Sequence, residues 1–309
     1  MFTLLPRTVH EESSWRAPKR TDVKGRSVHL RLGVVPITVR SAYVPAVRDL
    51  EGLYGGHLLA GADPEAIRID VRATRRGRSL RRRFEVCGDG VKRFSVWTAD
   101  GVLPHIEWAI NWQIMLYLPR YYEIHAAVME LNGAGAVFAA SPQSGKSTLA
   151  LGLLARGWRY LSDEFALIDP DTLAVHPYPK ALCIKEGSFG VMGQLGLVDE
   201  LGRRYCKGKK GTVTFVPPRR FGEGCVGRPC GVRHVFFCRY VAGARPMVEP
   251  VSRAEAVLRL NRQSFNFLKF RRRGVALLCD LVRRARCYEL ISGEIGATCE
   301  LVESVVGRE

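Results

Sequence analysis

The sequence predicts an α/β protein in which a small, sheet-rich domain precedes a larger α/β domain. The first observation is the apolar run at residues 136–140, which is short enough for a buried strand and leads through a turn into the helix formers of residues 149–155. The second is another apolar stretch, which ends at Tyr160-Leu161. The third is the alternation of apolar residues over 66–71, which is typical of a strand with one buried face.

Composition and breaks in the pattern divide the 309 residues into three parts. Residues 1–27 are polar, contain two prolines and show no periodicity, so we expect a loose N-terminal arm. Residues 28–103 are expected to form a small α/β accessory domain, and residues 104–309 the larger domain. Nothing in the accessory sequence has catalytic spacing, and its role stays open between recognition and support.

The elements of the accessory domain follow from apolar alternation and from breaks in it. Gly33 and Pro36 interrupt a strand-like stretch, and Gly55-Gly56 ends a short helix. Asp89-Gly90 is a hairpin signal. In chain order we predict a broken strand at 28–39, a helix at 44–54, a strand at 66–71, a basic turn at 75–83, and strands at 84–87 and 91–97.

The elements of the larger domain are predicted in the same way. Asn132-Gly133 predicts a hairpin, the pair Ser252 and Glu255 a helix cap, and Gly274 a weak point within a long helix. The other predicted strands are at 121–131, 165–168, 173–176, 211–216, 231–241, 246–250 and 286–291, and the helices at 104–118, 253–262, 264–281 and 294–306. The glycine-rich residues 187–210, with a weak helical signal at 198–201, are expected to form a flexible flap.

The turn after the strand at 136–140 has the composition of a phosphate-binding loop. Backbone N–H groups of such a loop and the positive N-terminus of the following helix hold phosphates. Lys146 would add a cation at the β- and γ-phosphate oxygens, and the Ser147 hydroxyl would ligate Mg²⁺. Asp163, at the next strand end, would hold the metal or accept a proton. The pattern therefore favours ATP and Mg²⁺ as ligands.

The loop departs from the usual pattern at Ala140, because glycine normally stands five residues before Gly145. A Gly-Lys-Ser-Thr sequence also occurs by chance at helix starts, but the flanking strand, helix and acidic strand end favour a nucleotide site. The loop residues expected to bind the nucleotide are Ser141, Gln143, Ser144, Gly145, Lys146, Ser147 and Thr148.

Three stretches of the larger domain resemble the catalytic core of HPr kinase/phosphorylase. They are His125-Ala126-Ala127-Val128, the loop through Lys146-Ser147, and Gly157-Trp158-Arg159-Tyr160-Leu161-Ser162-Asp163-Glu164. The chain is still more similar to a group called HPr-kinase-related kinase A. The further shared segments are Phe165 after the acidic pair, residues 179–185, and Lys210-Gly211-Thr212-Val213 followed by Pro217-Pro218. The resemblance covers residues 28–220 and is densest over 104–220.

The resemblance implies a P-loop kinase core of the HPr kinase type, which transfers a phosphoryl group from ATP to a hydroxyl. It implies that Asp163 takes the acceptor's proton, that Glu164 assists the metal together with Ser147 and Asp163, and that His125 orients the acceptor or the γ-phosphate. Lys185, in a shared segment, would contact phosphate oxygens.

The implied acceptor is an unidentified protein, peptide or small hydroxyl compound, with a serine hydroxyl as the first expectation. Self-association into a hexamer is also implied. HPr kinases have a second aspartate where this chain has Glu164, so phosphorylase activity is not carried over. Side chains alternate along a strand, so Glu164 would point away from Asp163 if the strand continued through both.

The net charge of +17 and the nine cysteines narrow the function classes. The arginine runs at 75–76, 81–83 and 271–273 lack interleaved aromatic residues, which favours solvated faces over a nucleic-acid site. The odd, scattered cysteines favour reduced thiols, and zinc bound by Cys206, Cys225 and Cys230 is a weaker alternative. No apolar run approaches membrane-spanning length, so we expect a cytoplasmic protein without a membrane partner.

Two other functions stay open at this point. A nucleotide-dependent ATPase or switch needs the same loop and acid, with water as the acceptor. A nucleic-acid-binding ATPase is suggested by the basic charge, and it predicts salt-sensitive binding to DNA or RNA.

Overall fold

The computed structural model describes residues 25–75, 82–118, 120–141, 144–197, 203–208 and 211–307. Over these residues the chain is a mixed α/β protein, as predicted, with sixteen strands in three sheets and eight α-helices. Most of the predicted N-terminal arm, the centre of the basic turn, Gln143 and the helical signal at 198–201 lie outside the described residues.

The strands are β1 Arg26–Leu32, β2 Val35–Ser41, β3 Ile67–Arg75, β4 Arg82–Gly88, β5 Val91–Val96, β6 Tyr122–Leu131, β7 Ala134–Ala139, β8 Arg159–Ser162, β9 Phe165–Ile168, β10 Ala174–His176, β11 Leu182–Lys185, β12 Tyr205–Cys206, β13 Thr212–Val216, β14 Cys230–Tyr240, β15 Met247–Pro250 and β16 Arg286–Ser292. The helices are α1 Val44–Leu53, α2 Val102–Tyr117, α3 Lys146–Ala155, α4 Phe189–Gln194, α5 Arg253–Arg262, α6 Phe267–Phe270, α7 Arg272–Arg284 and α8 Ile295–Val306.

The first sheet has the strand order β1-β2-β3-β4-β5, with one parallel pair, β2 and β3. Asp89 and Gly90 have φ angles of 45° and 79°, which confirms the predicted tight hairpin between β4 and β5. Helices α1 and α2 pack against this sheet and share one hydrophobic core with it. Helix α2 begins at the predicted boundary near residue 103, yet its apolar face belongs to the core of the first sheet.

The second sheet has the order β10-β9-β6-β7-β14-β16-β15, and β8 pairs with β6 beside β9. Helices α3 and α8 cover one face and helices α5 and α7 the other. Along β6, Ala127 and Met129 lie in the hydrophobic core beneath α3 and α8, and Ala126 and Val128 lie in the core beneath α5 and α7. Burial on both faces explains why the sequence of this strand is apolar without alternation.

The carboxyl ends of β7, β8, β14 and β16 meet at one edge of the second sheet. Strands β7, β14 and β16 are mutually parallel, and β7 and β8 both run antiparallel to β6. The segments that follow these four strands therefore lie near one another, which is where ligands of open α/β sheets bind.

The third sheet, with the order β11-β13-β12, joins the two larger parts of the molecule. Leu182 and Ile184 of β11 lie in the core with α3, whereas Val213 and Phe215 of β13 lie in the core of the first sheet. Neither β11 nor α4 was predicted from the sequence, since both are short and apolar alternation over four to six residues is a weak signal.

The predicted single helix at 264–281 is wrong. The structure has the short helix α6, then Arg271 at a φ of 49°, and then α7, which extends to Arg284. The left-handed residue ends one helix and starts the next, so the break falls at Arg271 and not at Gly274. The predicted cap of α5 is confirmed, because the Ser252 hydroxyl accepts a hydrogen bond from the Glu255 N–H.

Across the described part of the chain, none of the helices combines the length and the apolar character that crossing a membrane requires.

Replacing a glycine within a helix by alanine usually stabilises the protein, and at Gly274 we expect the opposite. A Cβ at this position would lie 2.9 Å from Cε2 of the buried Tyr122 ring, so Gly274→Ala should lower the free energy of unfolding by about 1 kcal/mol or more. Gly52, in α1, has no atom within 4 Å of such a Cβ, so Gly52→Ala should raise it by about 0.5–1 kcal/mol. Urea denaturation of both variants tests the difference, and a stabilised Gly274→Ala protein would contradict the packing described here.

Candidate active site

A cleft of about 900 Å³ opens at the edge where the four strands end. The first turn of α3 lines it centrally, α2 and the third sheet line one side, and the start of α8 lines another. Its volume lies within the range of about 300–1,000 Å³ that is usual for ligand sites.

The side chain of Lys146 is held by backbone carbonyl oxygens of the two residues that follow β7. Its Nζ donates hydrogen bonds to the carbonyl oxygens of Ala140, at 2.7 Å, and Ser141, at 3.1 Å, and the residue is buried. Burial lowers the pKa of Lys146, while the nearby carboxylates of Asp163 and Glu164 oppose this. Gly145, just before it, has a φ of 81°, a conformation that favours glycine.

Ala140 does not need to be glycine in this turn. It has no positive φ, its side chain is buried in the core beneath α3, and its carbonyl oxygen makes the contact with Lys146. The conformation of Ala140 itself therefore does not require glycine at this position.

The acidic pair follows a bend that the Ser162 side chain holds. Ser162 Oγ accepts hydrogen bonds from the N–H groups of Glu164, at 3.2 Å, and Phe165, at 3.1 Å. Strand β8 ends at Ser162, so the alternation of a continuous strand does not apply to the next two residues. Both Asp163 and Glu164 consequently line the same cleft.

The carboxyl group of Asp163 is buried in a site that disfavours its ionised form. Burial, together with the neighbouring charge of Glu164, raises the pKa of Asp163 to about 6, although the Ser147 hydroxyl and the Lys146 ammonium oppose this shift. Its Oδ2 atom is buried without a hydrogen-bond partner among the described residues. Asp163 is therefore a carboxyl group that changes its protonation state near neutral pH.

Glu164 has the opposite electrostatic character. Burial raises the pKa of its carboxyl group, but the ammonium groups of Lys180 and Lys207 and the ring of His125 outweigh burial and hold the pKa below its ordinary value. The two adjacent acids thus differ in charge at pH values below about 6, where Glu164 is still ionised and Asp163 is protonated.

His125 lies beside the acidic pair. His125 of β6 is the pairing partner of Phe165 of β9. The centroid of its ring is 5.5 Å from that of Phe265, and the residue lines the cleft. Its effect on the pKa of Glu164 places it close enough for an electrostatic interaction.

Lys180 also lines the cleft, and its partners are residues that the local sequence pattern does not indicate. Its Nζ lies 2.9 Å from Glu107 Oε2, 2.9 Å from the Glu107 carbonyl oxygen and 2.8 Å from Asn111 Oδ1. The ammonium has three hydrogens, so these three acceptors satisfy it. Lys180 is 4% exposed and Glu107 2%, which makes this a buried, fixed cation beside the cleft.

Tyr54, the residue that follows helix α1, also contributes to this network. Tyr54 Oη donates to both carboxylate oxygens of Glu107, at 3.0 and 3.1 Å, and accepts a hydrogen bond from the N–H of Ala181 at 3.3 Å. Glu107 and Tyr54 were not predicted as site residues, because their partners are far away in the sequence and no local motif indicates the contact.

Lys207 is a further lysine of the cleft, and the sequence analysis gave it no role. Its Nζ donates to Cys183 Sγ at 3.3 Å. Burial lowers the pKa of Lys207, but the interactions with Cys183 and Glu164 outweigh burial and hold the pKa above its ordinary value. Lys185 also lines the cleft.

Most of the predicted site residues line this single cleft. Ser141 does not line it and contributes its carbonyl oxygen to Lys146, and Gln143 lies outside the described residues. Thr148 Oγ1 donates to Ser188 Oγ at 2.8 Å, and Ser144 Oγ is buried without a partner in the described chain. The predicted residues that line the cleft are His125, Ser144, Gly145, Lys146, Ser147, Thr148, Asp163, Glu164 and Lys185.

The described residues contain no group of three or more histidine, cysteine, aspartate or glutamate side chains that could hold a metal, so Cys206, Cys225 and Cys230 do not form a zinc site. The cleft does present two carboxylates and the hydroxyl of Ser147. This donor set fits Mg²⁺, which usually binds one or two carboxylates and takes its other ligands from phosphates and water.

Comparison with known proteins gives structural similarity at low sequence identity. No protein-family model matches the chain, and no curated protein matches it. Among solved structures, the chain is similar to the Hpr(Ser) kinase/phosphatase from Coxiella burnetii, with a TM-score of 0.30 and 13% sequence identity, over 60% of this chain and 88% of that chain. Because this similarity is so low, we base the function on the geometry of the cleft.

The buried pair of Lys180 and Glu107 predicts strong coupling between the two residues. Lys180→Met leaves the Glu107 carboxylate buried without its cation, and Glu107→Met leaves the ammonium, so each should lower the free energy of unfolding by about 3–5 kcal/mol. The double variant should cost much less than the sum. Denaturant unfolding of all four proteins measures the coupling.

A matched control for this cycle is the exposed pair of Arg26 and Glu51, whose removal should change stability by about 1 kcal/mol at most. Additive effects of Lys180→Met and Glu107→Met would show that the two side chains do not depend on each other.

Proposed function

We propose that this protein is an ATP-dependent kinase that transfers the γ-phosphoryl group to a hydroxyl, with serine in a partner protein or peptide as the first candidate. One observation carries the proposal. A buried carboxyl group with a pKa of about 6, Asp163, shares a cleft with Lys146 and with the hydroxyl of Ser147 at the start of α3.

The start of α3 offers donors for phosphate oxygens. The first N–H groups of a helix have no partner within the helix, and α3 has no side-chain cap because its N-cap residue is Gly145. These N–H groups and the Lys146 ammonium would bind the β- and γ-phosphates. Lys185 would add positive charge from the opposite wall.

Mg²⁺ would be held by the Ser147 hydroxyl and by the carboxylates of Asp163 and Glu164, and when bound it would neutralise charge on the phosphate oxygens. Glu164, which the two lysines keep ionised, suits this role. His125 would orient the acceptor or the γ-phosphate.

Asp163 would take the proton from the acceptor hydroxyl. Its unpartnered Oδ2 atom is available as an acceptor, and a base with a pKa near the working pH is effective in proton transfer. The cleft has a volume of about 900 Å³ and is also lined by Trp108, Asn111 and Phe265, so it leaves room for an acceptor larger than water. This space favours a kinase over the alternative of an ATPase or switch.

The nucleic-acid-binding alternative receives less support. Among the residues that the structure describes, no arginine lines the cleft, and Arg273 of the run at 271–273 pairs with Asp171 at 2.7 Å.

Lys146→Ala tests the phosphate site. Without the ammonium, affinity for ATP with Mg²⁺ should fall by at least tenfold. The melting temperature should also fall, because the Ala140 and Ser141 carbonyl oxygens lose their hydrogen-bond donor, so the affinity is measured well below the unfolding transition of the variant. Isothermal titration calorimetry measures the affinity, and Lys92→Ala, an exposed lysine of β5, is the control. Equal affinity in wild type and the Lys146 variant would contradict the proposal.

Asp163→Asn and Glu164→Gln separate the roles of the two acids. Asp163→Asn should keep ATP binding and reduce phosphoryl transfer by about 10²–10⁴-fold, whereas Glu164→Gln should mainly raise the Mg²⁺ requirement. Because the base acts when ionised, the wild-type rate should fall as the pH is lowered and Asp163 becomes protonated, and this dependence should disappear in Asp163→Asn. The transfer rate and its pH dependence are measured as single-turnover transfer from γ-labelled ATP to cell-lysate proteins and to free serine.

Two results would contradict these roles. Transfer that fails in Glu164→Gln and survives in Asp163→Asn would reverse the assignment of the acids. Label released only as inorganic phosphate, with no acceptor labelled, would favour the ATPase.

A further inference from the structure

The cleft extends past the start of α3 to an end that the proposed phosphoryl transfer does not use. We call this end the distal slot. It is lined by residues from the turn after β14 and from the start of α8, which are Tyr240, Gly243, Ala244, Glu294, Ile295 and Thr298.

The strand order places the distal slot opposite the acidic pair. In the second sheet β7 lies between β6 and β14, and β16 follows β14. Asp163 and Glu164 follow β8, which pairs with β6, whereas Tyr240 ends β14 and Glu294 follows β16. A triphosphate whose γ-phosphate lies beside Asp163 would therefore extend across Gly145 towards β14 and β16.

The chemistry of the distal slot differs from that of the phosphate site. The distal slot presents the ring of Tyr240 and the apolar side chains of Ala244 and Ile295, and none of its described residues is a lysine or an arginine. Tyr240 is 52% exposed, and its Cβ is 3.7 Å from the position that a Cβ on Gly145 would occupy. A slot without cationic side chains and with an available aromatic ring, next to a phosphate site, suits a flat heterocyclic base.

The wall of the distal slot is held in place without a ligand. Val241 N–H donates to the Ser292 carbonyl oxygen at 2.9 Å, and a Cβ on Gly293 would lie 1.9 Å from the Ala244 carbonyl oxygen. This close approach joins the turn after β14 to the start of α8. Glu294 accepts hydrogen bonds from Gly296 and Ala297, one on each carboxylate oxygen, and each oxygen retains acceptor capacity.

We propose that the distal slot binds the nucleoside of the nucleotide, with a purine base stacked on Tyr240 and a ribose hydroxyl donating to Glu294. This inference rests on the proposed function, because the direction of the triphosphate is set by Asp163. It adds two binding residues, Tyr240 and Glu294, that the loop pattern does not contain.

The experiment compares ATP with inorganic tripolyphosphate, which has the phosphates without the nucleoside. Calorimetry with Mg²⁺ should show that wild type binds ATP more tightly than tripolyphosphate. Tyr240→Ala should weaken ATP binding by about tenfold or more and leave tripolyphosphate binding unchanged, since a stacked base is lost. Tyr240→Phe, which keeps the ring, should bind ATP like wild type.

Further variants test the position of the slot. Ala244→Trp, which fills the slot from the turn after β14, should weaken ATP binding and spare tripolyphosphate. Trp97→Ala, another exposed aromatic residue but on the first sheet, is the matched control and should change neither affinity. Glu294→Gln should lower the preference for ATP over 2′,3′-dideoxy-ATP.

The outcomes separate the inference from the proposed function. If tripolyphosphate binds as tightly as ATP, or if Tyr240→Ala weakens both ligands equally, the distal slot does not bind the nucleoside, and the phosphate site stands. If wild type binds neither ligand, the proposed function fails and the inference with it.

Discussion

The buried ion pair between Lys180 and Glu107 connects the first sheet to the cleft. Glu107 comes from α2, whose apolar face packs on the first sheet, and Lys180 lies in the segment between β10 and β11. Removing two charges from water is costly, and the cost is offset here by the hydrogen bonds from Tyr54 and to Asn111. The positions of the cleft walls therefore depend on a contact that only the complete fold provides.

The same pair influences the chemistry of the acidic residues. Burial alone would raise the pKa of both Asp163 and Glu164, and their proximity would disfavour two negative charges. The fixed ammonium of Lys180, together with Lys207, acts mainly on Glu164. The pKa values of the two acids consequently differ although the residues are neighbours in the chain.

Local sequence signals were sufficient for most of the strands and helices and for the centre of the candidate site. The hairpins at Asp89-Gly90 and Asn132-Gly133, the cap of α5 and the strand-turn-helix around Lys146 are encoded by residues close together in the chain. The contacts that were missed are nonlocal. Lys180 is 73 residues from Glu107, Lys207 reaches the site from the third sheet, and the Ser162 bend redirects Glu164 in a way that strand alternation does not indicate.

The third sheet has a consequence for the modularity of the protein. It contributes residues to the core of the first sheet and to the core beneath α3, and α2 packs on the first sheet while lining the cleft. A recombination event that exchanged the chain near residue 103 would separate α2 from the sheet that buries Ile106 and Ile110. The two parts are thus constrained to evolve together, and the accessory sheet is inherited with the cleft and not as an interchangeable module.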